Sequence, residues 1–217
     1  MLNGVNPGDR KCYMYFDTEF TGLHRNTSLI SLGIVDADGK TFYAEFSDYD
    51  AQQINPWLIE NVIKNLRYPN NCFAGDNWTV RGNHEEVRKA LLAWLNEYAK
   101  KGIVVQFCSD VAHYDFVLLI DLLTNGGSAL DLPEFISPCV VDLNQELGYC
   151  IKHVNKPENM TIDEYNRNFV PSRVAFDISR EKFMQDIGVS VRGEKHNSLY
   201  DAKVIRAIHQ NIWCMEA

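Results

Sequence analysis

Asp17 and Glu19 stand two residues apart in Phe16-Asp17-Thr18-Glu19-Phe20-Thr21-Gly22-Leu23. In a β-strand that spacing points both carboxylates to one face. Like charges held side by side raise each other's pKa and repel unless a cation lies between them. The pair is therefore either a solvated strand end or part of a cation site. Asp115, in Ser109-Asp110-Val111-Ala112-His113-Tyr114-Asp115-Phe116, opens a strongly apolar stretch. An acid there is either a charge favoured by the helix macrodipole or a further ligand, and Asp110 is either an N-cap or a competing ligand. In His196-Asn197-Ser198-Leu199-Tyr200-Asp201 an imidazole precedes another carboxylate. Its ordinary pKa of about 6.5 suits proton transfer near neutral pH. Each of these features, met singly, has a plain structural explanation.

The elements that must carry these residues are readable from pattern. Residues 11–17 form an aromatic-rich strand and 28–36 a second. Asp38-Gly39 marks a hairpin into a third, 41–46. Residues 47–82 are irregular and contain aromatics. Asn83 is an N-cap for a helix over 84–100, whose apolar face is Val87, Leu91, Leu92, Trp94, Leu95 and Tyr98. A buried strand follows at 103–107, then a helix over 114–124 stopped by Asn125-Gly126-Gly127, then a strand at 138–143. Residues 150–192 are polar, interrupted by Pro157 and Pro171, and carry no clear period. A last helix spans 198–213. Three antiparallel strands followed by strand–helix alternation make this an α/β chain with a mixed sheet, expected as one domain over 1–217 with insertions at about 47–82 and 150–192.

Composition narrows the class. The chain has 217 residues, 46% of them hydrophobic and 12% aromatic, enough for a sizeable core. No apolar run reaches the roughly 20 residues of a membrane span. The first ten residues lack the basic-then-apolar order of a secretory signal, so a soluble cytoplasmic protein is expected. Cys12, Cys72, Cys108, Cys139, Cys150 and Cys214 are scattered with no CxxC pair, as expected of reduced thiols rather than a zinc knot. The net charge of −8 disfavours an indiscriminate binder of long duplexes. It leaves room for a nucleic-acid enzyme whose acids hold cations. Trp57, Trp78, Trp94 and Trp213 read as core or interface anchors, and His24, His84, His153 and His209 as structural.

Taken together and in this order, Asp17/Glu19, Asp115 and His196/Asp201 resemble the motif set of the DEDD superfamily of 3′–5′ exonucleases, in its histidine-containing (DEDDh) branch. The stretch Tyr15–Phe20 with Leu29–Val35 and Asp38-Gly39 is most similar to RNase AS-like bacterial exoribonucleases, which are associated with adenylate-rich RNA 3′ ends. The resemblance runs from about Lys11 to Trp213. One departure is Asp110-Val111, where many DEDDh enzymes have a His-Asn pair; the segment before the third motif is also longer than in compact members.

The resemblance implies an RNase H-like sheet with Asp17, Glu19, Asp115 and Asp201 gathered at one end as ligands for two Mg²⁺ or Mn²⁺ ions. His196 is then the base that takes a proton from the attacking water, and nucleoside 5′-monophosphates are the products. Thr18 and Thr21 are expected near the terminal sugar, Phe20 and Leu23 against the terminal bases, and His113 along the cleft. Single-stranded RNA is the favoured substrate. A proofreading- or repair-type DNA exonuclease is the alternative, a non-catalytic binding module a more distant one, and a homodimer the expected assembly.

Overall fold

A computed structural model describes residues 10–154, 159–161, 163–164, 167 and 171–212. The hairpin expected at the start is present: β1 (Lys11–Phe20), β2 (Leu29–Asp36) and β3 (Thr41–Phe46) pair antiparallel in succession. The turn between β2 and β3 closes on Gly39, whose φ of +99° suits a residue without Cβ. The side chain of Asp36 accepts from the Asp38 and Lys40 amides.

The segment expected to be irregular holds more structure. Asn55 caps a short helix, α1 (Pro56–Asn61), through Leu58 N at 2.9 Å. Then β4 (Asn77–Gly82) adds to β3 in parallel. β4 escapes a pattern reading because it is an edge strand: only Val80 and Gly82 are buried, and its register is set by a distant partner. Helix α2 (His84–Ala99) begins at Asn83 with a full capping box to Glu86, as expected. β5 (Val104–Ser109) lies parallel to β1 on the opposite side from β2. α3 (His113–Thr124) ends at a left-handed Asn125. The strand expected at 138–143 shrinks to β6 (Val141–Asp142), because the Asp142 side chain accepts from the Asn144 and Gln145 amides and starts α4 (Leu143–Val154) at once. In the poorly patterned region are α5 (Pro171–Phe176) and α6 (Arg180–Asp186). α7 (Ser198–Ile212) is the helix expected last; Trp213 and Cys214 lie outside the described residues.

The sheet order is β4-β3-β2-β1-β5-β6, a mixed α/β architecture with helices on both faces. Alternation along β1 sorts its side chains. Met14 and Phe16 enter the core with α2 and α3, whereas Tyr15 enters the core with α4, α6 and α7. Asp17 and Glu19 continue the second row, beyond the apolar layer. Among the described residues no helix is long and apolar enough to cross a membrane.

Candidate active site

At the end of β1 the apolar layer gives way to an open cleft of about 800 Å³. Asp17 and Glu19 project into it from the strand, and Asp201 arrives from the first turn of α7. One carboxylate oxygen from each of these three lies within 4.8 Å of the others. Gly33 explains the approach. It sits beside Asp17 in the sheet and beside Tyr43 on its other flank, and a Cβ there would strike the backbone of Ser198 and Leu199. The start of α7 therefore rests directly on β2, fastened by Ser31 Oγ to Ser198 Oγ at 2.9 Å.

Asp115 reaches the cleft from the α3 side. Its Oδ1 accepts from the Thr18 amide at 2.9 Å and the Thr18 hydroxyl at 2.6 Å, so α3 is pinned to β1 at the residue between the two strand acids. His196 stands at the opposite wall, with Nδ1 3.9 Å from Glu19 Oε1 and its ring edge-on to Trp57 at 5.3 Å between centroids.

The electrostatics are those of unbalanced negative charge. Burial first, and then the neighbouring Asp115, Asp201 and Glu19, hold the Asp17 carboxyl well above the usual range. Burial with Asp201 and Asp115 pushes Glu19 up to about 8. Burial raises Asp201 to about 7 against the opposing hydrogen bond from the His196 amide. Asp115 is raised less freely, because the Thr18 donors oppose burial. His196 is lowered by burial and then by Lys195, which favours the neutral, proton-accepting imidazole. Convergent, partly desolvated carboxylates with only oxygen donors fit hard divalent cations. The donor set passes that test on its own chemistry.

Other expected residues take different places. Thr18 and Thr21 both line the cleft, but the Thr18 hydroxyl serves Asp115, and Thr21 is buried at the root of the β1–β2 turn, where it bonds Gln53 and accepts from the Ser28 amide. Phe20 stacks on Tyr114 at 5.7 Å, and Leu23 is 77% exposed on the rim. His113 is an exposed residue at the head of α3 and does not line the cleft, contrary to expectation. Asp110 is not the helix cap: it lies on the cleft wall, where Arg180 grips both its oxygens at 2.7 and 2.8 Å. Trp57 is no core anchor but a cleft residue, 55% exposed, whereas Trp94 is buried as expected. His209 is structural, bonded to the Tyr15 hydroxyl at 3.1 Å. Sequence reasoning missed Trp57, Arg180, Lys195 and Phe176 on the cleft wall. All four lie on short or weakly patterned segments, and only the tryptophan's rarity could have singled one out.

Comparison with known proteins adds to this geometry. The profile of the 3′–5′ exoribonuclease Rv2179c-like domain family matches residues 12–213. The 3′–5′ exoribonuclease Rv2179c of Mycobacterium tuberculosis is 28% identical over 91 residues, 39% of this chain and 54% of the relative. The chain thus spans about half the length of the curated relatives it matches. Among solved structures, the nuclease domain of 3′hExo, a DEDDh family member bound to rAMP, superposes with a TM-score of 0.56 at 14% identity, covering 94% of this chain and 91% of the other. S. pombe Pop2p in its Mg²⁺- and Mn²⁺-bound form gives 0.50 at 15% identity, covering 92% and 82%. These structural likenesses show the fold.

Proposed function

We propose, from the premise that this chain belongs to the 3′–5′ exoribonuclease Rv2179c-like domain family, that it is a divalent-cation-dependent 3′–5′ exonuclease of the DEDDh type acting on single-stranded RNA. The observation that carries the reading is the convergence of Asp17, Glu19 and Asp201 within 4.8 Å, with Asp115 and His196 beside them. These four carboxylates are the residues that would hold Mg²⁺ or Mn²⁺. Such ions, when bound, would supply positive charge to the scissile phosphate and acidify the attacking water.

The chain's own residues do the rest. β1 and α7 fix the carboxylates before substrate arrives, so little reorganisation is left for the reaction. Thr18 holds Asp115 in place. His196, kept neutral by burial, takes the proton of the attacking water. The exposed Leu23 and Trp57 offer apolar surface to the last bases, where stacking on an aromatic is worth about 1–3 kcal/mol per base. Phe20, already stacked on Tyr114, backs that wall. A cleft of about 800 Å³ falls in the range of pockets for a single small ligand, which suits a strand end rather than a duplex. The similar proteins, an exoribonuclease and a nuclease bound to rAMP, support RNA.

The test is a denaturing-gel time course on 5′-labelled single-stranded oligoadenylate and its DNA counterpart with Mn²⁺, with EDTA, and with Asp17→Asn. A ladder shortening from the 3′ end of RNA, abolished by EDTA and by the substitution, is expected. A DNA-only ladder would move the substrate to DNA. Intact strands on both would sink the enzyme reading.

A further inference from the structure

His196 adopts a φ of +59°, a left-handed conformation that a residue with a Cβ keeps only when its surroundings hold it there. The holding groups can be named. The peptide between Lys195 and His196 is tied through its carbonyl, which accepts from Asn65 Nδ2 at 2.8 Å. Asn65 is itself fixed, since the same Nδ2 donates to the Asn61 carbonyl at 2.7 Å. On the next residue, buried Asn197 donates through Nδ2 to the Asn65 carbonyl at 3.0 Å and to the Tyr43 hydroxyl at 3.3 Å, and its Oδ1 accepts from the Tyr200 amide at 3.3 Å. The Tyr43 hydroxyl in turn donates to Glu45 Oε1 at 2.7 Å. Glu45, buried in β3, also accepts from the amides of Arg67 and Tyr68.

We propose that Asn65 is a positioning residue for His196, with Asn197 as its partner: the two amides join the histidine loop to α1 and β3 and hold the Lys195–His196 peptide in the orientation that turns the imidazole toward Glu19. This rests on the reading of His196 as the proton acceptor. Asn65 touches no reacting atom and acts through one peptide plane. A peptide rotation here would swing the ring away from Glu19, while Asp17, Glu19 and Asp201 keep the positions that β1 and α7 give them. The loss should therefore fall on turnover rather than on substrate binding, because misplacing a catalytic group by about 1 Å can cost on the order of a hundredfold.

A double-mutant cycle on the full chain decides it. Wild type, Asn65→Asp, His196→Ala and the double variant are compared for kcat and KM on 5′-labelled single-stranded RNA with Mn²⁺. Asn65→Asp keeps the side chain's shape but turns an acceptor toward the Lys195 carbonyl. Asn65→Ala is run in parallel, and is read in the same cycle if the aspartate variant does not fold. The expected result is a fall in kcat of about tenfold or more with KM within about twofold, and no further fall when His196 is already alanine. Losses that multiply in the double variant, or an Asn65 variant with wild-type kcat, would overturn the proposal. His196→Ala with an unchanged rate would remove its foundation. An inactive wild type would instead count against the nuclease reading itself.

Discussion

The raised pKa values of Glu19, about 8, and Asp201, about 7, have a thermodynamic consequence. An unfolded chain releases these protons near pH 4, while the folded, cation-free protein retains them until near neutrality. Between those limits the folded state binds more protons, so its stability falls as pH rises. In chelator, the melting temperature is expected to decline from pH 5 to pH 8. Mn²⁺ should raise it more at pH 8 than at pH 5, where protons compete for the ligands. A melting temperature flat across that range in chelator would contradict the raised values. On activity, Asp17→Asn should lose more than about a hundredfold and His196→Ala about 10²–10⁴-fold, measured as initial rates with saturating Mn²⁺. The acids and the histidine were readable from sequence because their types recur in a fixed order along the chain. Arg180 was not, because its meaning comes from Asp110, seventy positions earlier, and Trp57 was not, because exposure is a property of the folded surface.

The elements carry this site through two close contacts. Gly33→Ala would drive a methyl group into the Ser198–Leu199 backbone and lift α7 from β2. The expected cost is about 1–3 kcal/mol in denaturant unfolding, with a disproportionate fall in activity as Asp201 and His196 move together. Arg180 makes the second contact, joining Asp110 to Asn144 Oδ1 and to the Ala175 and Ile178 carbonyls. It closes the wall formed by α5 and α6 and pairs with an acid whose charge adds to the repulsion at Asp17. Arg180→Leu should destabilise by about 1–3 kcal/mol, and Asp110→Asn in the same chain should recover part of that loss. The exoribonuclease-family resemblance and the mixed sheet expected from the sequence are borne out. β1, β2, β3, α2, β5, α3 and α7 follow from local periodicity and caps. β4 did not, since a six-residue edge strand takes its identity from a partner far away in sequence, and β6 was expected but longer than its two residues.

Across the whole molecule, a charge of −8 opposes any polyanion that approaches without cations. RNA binding measured by fluorescence anisotropy should be weak in EDTA and should strengthen with Ca²⁺ or Mn²⁺, whereas tight binding in EDTA would mean that a basic surface carries recognition. A homodimer is expected by sedimentation, and a purely 24.9 kDa species would exclude it. The placement of the cleft residues along the chain has one more consequence. Asp17 and Glu19 emerge from the ribosome early, but Asp201 belongs to α7 and His196 to the loop just before it, and α7 packs on β1 and β2 only after nearly two hundred further residues have been made. Contacts of such long range form late. A nascent chain that stops short of α7 therefore lacks both the proposed proton acceptor and the last of the clustered carboxylates, so the cleft can be completed only once α7 has been made.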